Sequence, residues 1–284
     1  MGVGISAVTG GGTYEYGANV SIDATVKNGY TWSNWRHTVT GGAQVSTTKN
    51  YAFVMPASDQ DYTAVATLDT YTITYNLDGG SHGTTHPSSY TVITSDITLS
   101  NPTKTGYTFA GWRVTTAPTA WGTGSSASGS TNFKIATGTY GNIAFEATWV
   151  ADVYTITLSD GTGTSQSGAP SPIYLKYNDG WYNDSAATTS ISTLTTTPIK
   201  VGYLFEGYYT NSDGTGTQII DNVGTIVAGN TAFAANSTIY AKWTAQTGFC
   251  VTTVSTMAAN QEFVFYISAK GRFYVDWVMV KFYR

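Results

Sequence analysis

Histidine is the first place to look for chemistry, and the chain has three in 284 residues. His82 and His86 stand four apart, a spacing that on a helix would put two imidazoles on one face for a metal. They lie, however, in Gly80-Ser81-His82-Gly83-Thr84-Thr85-His86-Pro87, where glycine and proline argue for a loop. The expectation is two solvated loop residues and no metal. His37 stands alone after an aromatic strand. The acidic pairs Asp59/Asp61 and Asp179/Asp184 fall in turn-like segments, where Asp hydrogen-bonds nearby backbone. Glycosidase carboxylates need a defined separation across a cleft, which spacing along the chain does not supply. Gly10-Gly11-Gly12 and Asp160-Gly161-Thr162-Gly163 lack the strand–loop–helix setting of a phosphate loop. Asp213-Gly214-Thr215-Gly216 and Asp160-Gly161 lack the regular acidic spacing of a calcium loop. Cys250 is the one cysteine; it excludes an intrachain disulfide and reads as a small buried apolar residue. No nucleophile–base pair stands out. The chain is read as non-catalytic, with no cofactor.

Aromatic side chains remain, and they are patterned. Gly106-Tyr107-Thr108-Phe109-Ala110-Gly111-Trp112 recurs as Gly202-Tyr203-Leu204-Phe205-Glu206-Gly207-Tyr208, and more loosely as Gly29-Tyr30-Thr31-Trp32-Ser33-Asn34-Trp35. Strict strand alternation puts Tyr107, Phe109 and Gly111 on one face and Trp112 on the other. The leading glycine permits a tight entry turn, and Gly111 or Gly207 admits a close backbone or ring. Such rings are core packing or a platform for sugar rings, and the repetition favours core. If the chain contacts a glycan or protein, the loop aromatics Trp121, Trp181 and Tyr182 are the better candidates, because loops carry function on repeated scaffolds.

These motifs need strands to carry them, and the composition provides for strands. Tyr, Thr and Val suit pleated surfaces, and 31 Gly suit many turns. Charged residues make up 11% and the net charge is −4. No basic footprint for nucleic acid is present. No apolar run reaches the roughly 18–20 residues that would insert into a bilayer as a helix. The start lacks a basic n-region and an apolar core, so the chain is expected to be a fragment of a larger protein.

Three units follow one another. The first, 1–69, contains alternating Val20 and Ile22, the Gly29 motif, Tyr51–Met55 ended by Pro56, and Tyr62–Leu68. The second, 70–151, opens with Tyr71-Thr72-Ile73-Thr74-Tyr75-Asn76-Leu77-Asp78-Gly79-Gly80 and closes on Ala147-Thr148-Trp149. A low-complexity loop is expected from about Thr115 to Thr131. The third, 152–246, restarts with Tyr154-Thr155-Ile156-Thr157, carries a longer middle, and closes on Ile239-Tyr240-Ala241-Lys242-Trp243. Gly106 to Trp149 spans 43 positions, Gly202 to Trp243 spans 41 and Gly29 to Leu68 spans 39. A near-constant back half with a variable front half implies a shared strand core with insertions in loops. Each unit is large enough for its own core, so the expectation is small domains in series rather than a solenoid.

The second and third units resemble the Listeria–Bacteroides repeat, the B-repeat type found in internalins and other bacterial surface proteins. The signature comprises 71–80, Pro102, 106–112 and 147–149; the third unit departs where Tyr208 replaces the usual Trp. The first unit resembles a divergent copy through Gly17-Ala18-Asn19-Val20, Gly29–Trp35 and Met55-Pro56. The resemblance implies a mainly β fold of tandem β-grasp-like domains, each a small twisted sheet, in some members crossed by one short helix. It also implies a bacterial cell-surface location and a spacer or adhesion role without catalysis, with a host-surface protein or glycan as partner. A carbohydrate-binding module and an accessory segment of a secreted enzyme are the alternatives. Residues 247–284 read as part of another surface module, with a hairpin over 263–277 running to Val275-Asp276-Trp277.

Overall fold

The computed structural model describes residues 2–38, 42–163 and 171–246. These are strands joined by turns and loops, and among the described residues there is no helix. The hairpin expected over 263–277 lies outside them, as does Cys250. The chain divides into two compact units, Met1–Val150 and the remainder from Ala151 onward. Three apolar clusters form, drawn from Ile5–Ala64, Ile73–Ala147 and Ile156–Ile239.

Within the first compact unit the opening strand Tyr71–Asn76 and the closing strand Ile143–Ala151 pair in parallel, with Ile143 opposite Ile73 and Phe145 opposite Tyr75. The motif strand Tyr107–Thr116 flanks the closing strand, and Ser89–Tyr90 flanks the opening one. A parallel pair cannot be closed by a hairpin and needs a crossover, which residues 77–142 supply. No helix forms in that crossover. Its Ser, Thr, Gly and Pro residues bond or turn the backbone in non-helical ways, leaving short pairs such as Ile97–Thr98 with Lys134–Ile135. The expected 115–131 loop is partly strand. The motif strand runs on to Thr116, and bridges Ala120–Tyr140 and Trp112–Ser130 pin the rest.

The third repeat uses the same plan. Val153–Ser159 runs parallel to Ser237–Ala245, which is antiparallel to the motif strand Tyr203–Tyr209. Its long middle adds Ile173–Lys176 and Gly180–Tyr182 to one edge, making six strands. The first repeat instead faces two three-stranded sheets across a core centred on Trp35. Its motif strand Tyr30–His37 lies between Ala43–Ser46 and Tyr62–Leu68. It meets the second repeat where Val92 packs against bare Gly29.

The motif departs from strict alternation in one respect. The register slips between Trp32 and Asn34 and again between Phe205 and Gly207. A bulge inserts one extra residue, so aromatics three apart land on the same face. Trp32 meets Trp35 at 5.5 Å, Phe109 meets Trp112 at 5.3 Å, and Phe205 meets Tyr208 at 5.1 Å, all edge-on. Trp112 therefore joins Phe109 in the core rather than lying opposite it. Gly111 and Gly207 have φ of +142° and +121°, a region that disfavours side chains. A Cβ on Gly111 would sit 1.9 Å from the Gly129 carbonyl oxygen, and one on Gly207 2.3 Å from that of Ile220.

The entry turn is also repeated. In Lys27-Asn28-Gly29-Tyr30, Lys104-Thr105-Gly106-Tyr107 and Lys200-Val201-Gly202-Tyr203 the Tyr amide donates to the Lys carbonyl at 3.1–3.2 Å. The glycines share a left-handed φ of 78–79°. Lys104 lies 4.4 Å over the Tyr107 ring and Lys200 lies 3.7 Å over Tyr203. Lys104 also pairs with Asp78 at 3.2 Å. Cation–π contacts and ion pairs near water are worth about 1 kcal/mol or less. Lys200→Ala should therefore lower unfolding free energy in urea by under about 1 kcal/mol. Lys104→Ala should cost slightly more, and a loss of several kcal/mol in either would contradict this account of the turn.

Candidate functional site

The third repeat carries a shallow groove of about 640 Å³ beside its added edge strand. Trp181, Ile191, Ile226 and Ala228 form its apolar part, while Asp179 and Asn230 stand on the polar rim. The strand Gly180–Tyr182 pairs with Ile173–Lys176, Leu175 opposite Trp181. That alternation turns Trp181 inward. It is 6% exposed, its indole N–H donates to the Ala228 carbonyl at 3.2 Å, and Phe233 packs edge-on at 6.2 Å. Ile191 is laid alongside by its amide, which donates to the Trp181 carbonyl at 2.8 Å. Asn230 is tied to the rim, its side-chain amide donating to the Asp179 carbonyl at 3.3 Å.

Asp179 gives the rim its charge. Lys176 donates to its carboxylate at 2.6 Å. That bond, with a lesser one from the Tyr182 hydroxyl, holds the carboxyl below its usual range. At neutral pH the rim therefore carries an anion beside a compensating ammonium. The groove can offer an apolar floor and hydrogen-bond acceptors to a polar ligand.

The three candidate contact residues separate on this geometry. Trp181 and Tyr182, expected in a loop, are on a strand, because the insertion folds back onto the sheet edge and pairs there. Tyr182 is half-buried and bridges Ser190. Trp121 belongs to the second repeat; it too is half-buried, packed 5.6 Å from Phe133. The structure thus places Trp181 at the groove, leaves Tyr182 outside its lining and puts Trp121 on another core.

The histidines of the second repeat are not the solvated loop residues expected. Their rings lie 3.8 Å apart, with Tyr75 at 5.2 and 5.4 Å and Trp112 at 6.0 and 6.1 Å. Burial, then the neighbouring His86, pushes the His82 pKa below its ordinary value. Spacing in a Gly-rich loop gives no hint of this, since the contact depends on the loop folding back over the opening strand. No group of three or more His, Cys, Asp or Glu residues that could hold a metal occurs among the described residues. The acidic turn residues behave as local caps. Asp184 accepts from the Thr189 and Thr188 amides at 2.8 and 3.1 Å, and Asp213 from the Thr215 hydroxyl and amide at 2.6 and 2.9 Å.

A parallel opening–closing pair, a motif strand beside the closing strand and an aromatic core in each of two repeats define a class of small β repeat modules. The chain belongs to the Listeria-Bacteroides repeat domain family, which it matches over residues 71–147 and 154–242. Residues 3–67 match the Divergent InlB B-repeat domain. Among curated proteins the chain is similar to Internalin H of Listeria monocytogenes serovar 1/2a, 37% identical over 111 residues. That stretch is 37% of this chain and 19% of the relative. No solved structure matches the chain.

Proposed function

We propose that this chain is a non-catalytic, extracellular repeat region of a bacterial surface protein, serving as a spacer that positions a distal binding element. The observation that carries the reading is the serial repetition of one aromatic-cored module, in a family shared with internalin-type proteins. Modules in series set the reach of a tethered binder, and repeated weak contacts add avidity. Antibody raised against residues 2–246 should label intact cells that express the full-length protein, and mild external protease should remove the label. Labelling only after lysis would refute the location.

A second reading is favoured by the groove at Trp181: direct adhesion to a glycan or a host-surface protein. Its polar rim and apolar floor suit a sugar ring or a polar peptide segment. On a glycan array, binding through this groove should fall about tenfold with Asp179→Ala, roughly 1.4 kcal/mol, while the far-ultraviolet circular dichroism stays unchanged. Binding that ignores Asp179 and Asn230 substitutions would move the contact elsewhere.

A further inference from the structure

We infer that the His82–His86 pair is an acid-released latch, holding residues 81–88 against the Tyr75–Trp112 face while one ring stays neutral and letting go when both rings are protonated. The two imidazoles meet at 3.8 Å between centroids with planes inclined by 39°. At that distance two cations repel, whereas one cation and one neutral ring do not. His86 has a seat among hydrogen-bond acceptors. Its Nδ1 lies 3.1 Å from the Thr84 carbonyl oxygen and its Nε2 3.1 Å from both the carbonyl oxygen and the hydroxyl of Ser100. Carbonyls only accept, so a ring protonated on both nitrogens has a donor for each.

His82 has no such seat. Its Nδ1 is buried with no hydrogen-bond partner, and its ring is flanked by Tyr75 and Trp112. The titratable groups that face it are His86 from its own loop and Tyr75 from the opening strand. The Tyr75 hydroxyl donates to the Pro87 carbonyl at 2.9 Å, and burial raises its pKa, so it stays neutral. Trp112 from the motif strand and Ser100 from the segment before it carry no charge. No carboxylate acts on His82 to stabilise a second proton.

The sign follows from the lowered His82 value. A histidine depressed in the folded state contributes stability that is complete above about pH 6.5, the unfolded value. The contribution is lost as pH falls through the lower folded value. Opening would break the Tyr75–Pro87 and Thr84–Ser100 bonds together and uncover the aromatic face.

Amide exchange on the whole chain tests this between pH 7.5 and 4.5. After correction for intrinsic exchange, the opening constant of residues 81–90 should rise by up to about tenfold per pH unit as pH falls below about 6.5, and level off once His82 takes a proton in the closed loop. In His82→Phe, which keeps a ring and removes the proton, that rise should vanish, while His37→Gln in the first repeat leaves it intact. A flat wild-type profile, or an unchanged slope in His82→Phe, would overturn the latch. Should His82→Phe not fold, imidazole proton resonances of the wild type decide: His82 must titrate below the ordinary imidazole value of about 6.5, and a midpoint at or above it would also overturn the latch.

Discussion

Gly111→Ala should destabilise the second repeat by more than about 3 kcal/mol, among the largest effects a single methyl group produces. Two independent causes act at this position. The φ of +142° is open to glycine and strained for alanine. The added Cβ would also stand 1.9 Å from the Gly129 carbonyl oxygen and 2.6 Å from its carbon. Neither atom is the end of a flexible side chain. Gly129 is held by its own amide, which donates to the Trp112 carbonyl at 2.7 Å, and its neighbour Ser130 accepts from the Trp112 amide at 3.0 Å. Relief therefore requires opening a backbone pair. Gly207→Ala should act similarly but less severely on the third repeat, where the nearest backbone oxygen is 2.3 Å away. Urea unfolding followed separately for each repeat checks both. Equal stability of Gly111→Ala and wild type would mean that Gly111 does not sit against the Gly129 carbonyl as described.

Trp112→Ala should cost about 3–5 kcal/mol, as is usual for emptying a large aromatic site. Trp112 is wholly buried, ringed by Tyr75, Phe109, Phe145 and the two histidines. Few of these can close over the gap, since Phe145 and Tyr75 are fixed by neighbouring strands in parallel register. Trp112→Phe should be far milder. The indole Nε1 is buried without a hydrogen-bond partner among the described residues, so replacing it removes an unsatisfied donor while much of the ring contact is kept. The third repeat inverts this logic. There Tyr208 takes the place of Trp and its hydroxyl donates to the Asp160 carboxylate. Tyr208→Phe should thus lower stability by about 1–3 kcal/mol, the usual range for a hydrogen bond to a charged group. Should Trp112→Phe cost as much as Trp112→Ala, the indole N–H would have to be bonded after all.

These two sites show what could be read from the chain and what could not. Period-two alternation and glycine turns are local, so the opening strands at 71 and 154 and the motif strands at 107 and 203 are visible directly. The left-handed entry glycines Gly29, Gly106 and Gly202 are equally plain. The bulge was hidden because residue counting assumes an unbroken pleat. A signal did exist: large aromatics three apart, with Gly at the third position of two copies, recur at 109/112 and 205/208. Repetition of an odd spacing in a strand is evidence for an inserted residue. The parallel pairing of Ile73 with Ile143 joins residues seventy positions apart and leaves no local mark. Trp181 was misplaced for a related reason. Its segment has the polarity of a loop, yet pairing to Ile173–Lys176 makes it the outer strand of the sheet. The histidine pair depends on a loop refolding over Tyr75, which spacing alone cannot encode.

The spacer role proposed above requires the repeats to unfold as separate mechanical modules, each held by its own apolar cluster. Pulling single molecules of the chain from both ends tests this most directly. Successive unfolding events are expected, each releasing about 240–330 Å of chain at roughly 3.5 Å per residue, with Gly111→Ala lowering the force of one event and sparing that of the third repeat. A single event that releases residues 2–246 at once, or Gly111→Ala weakening every event alike, would contradict it.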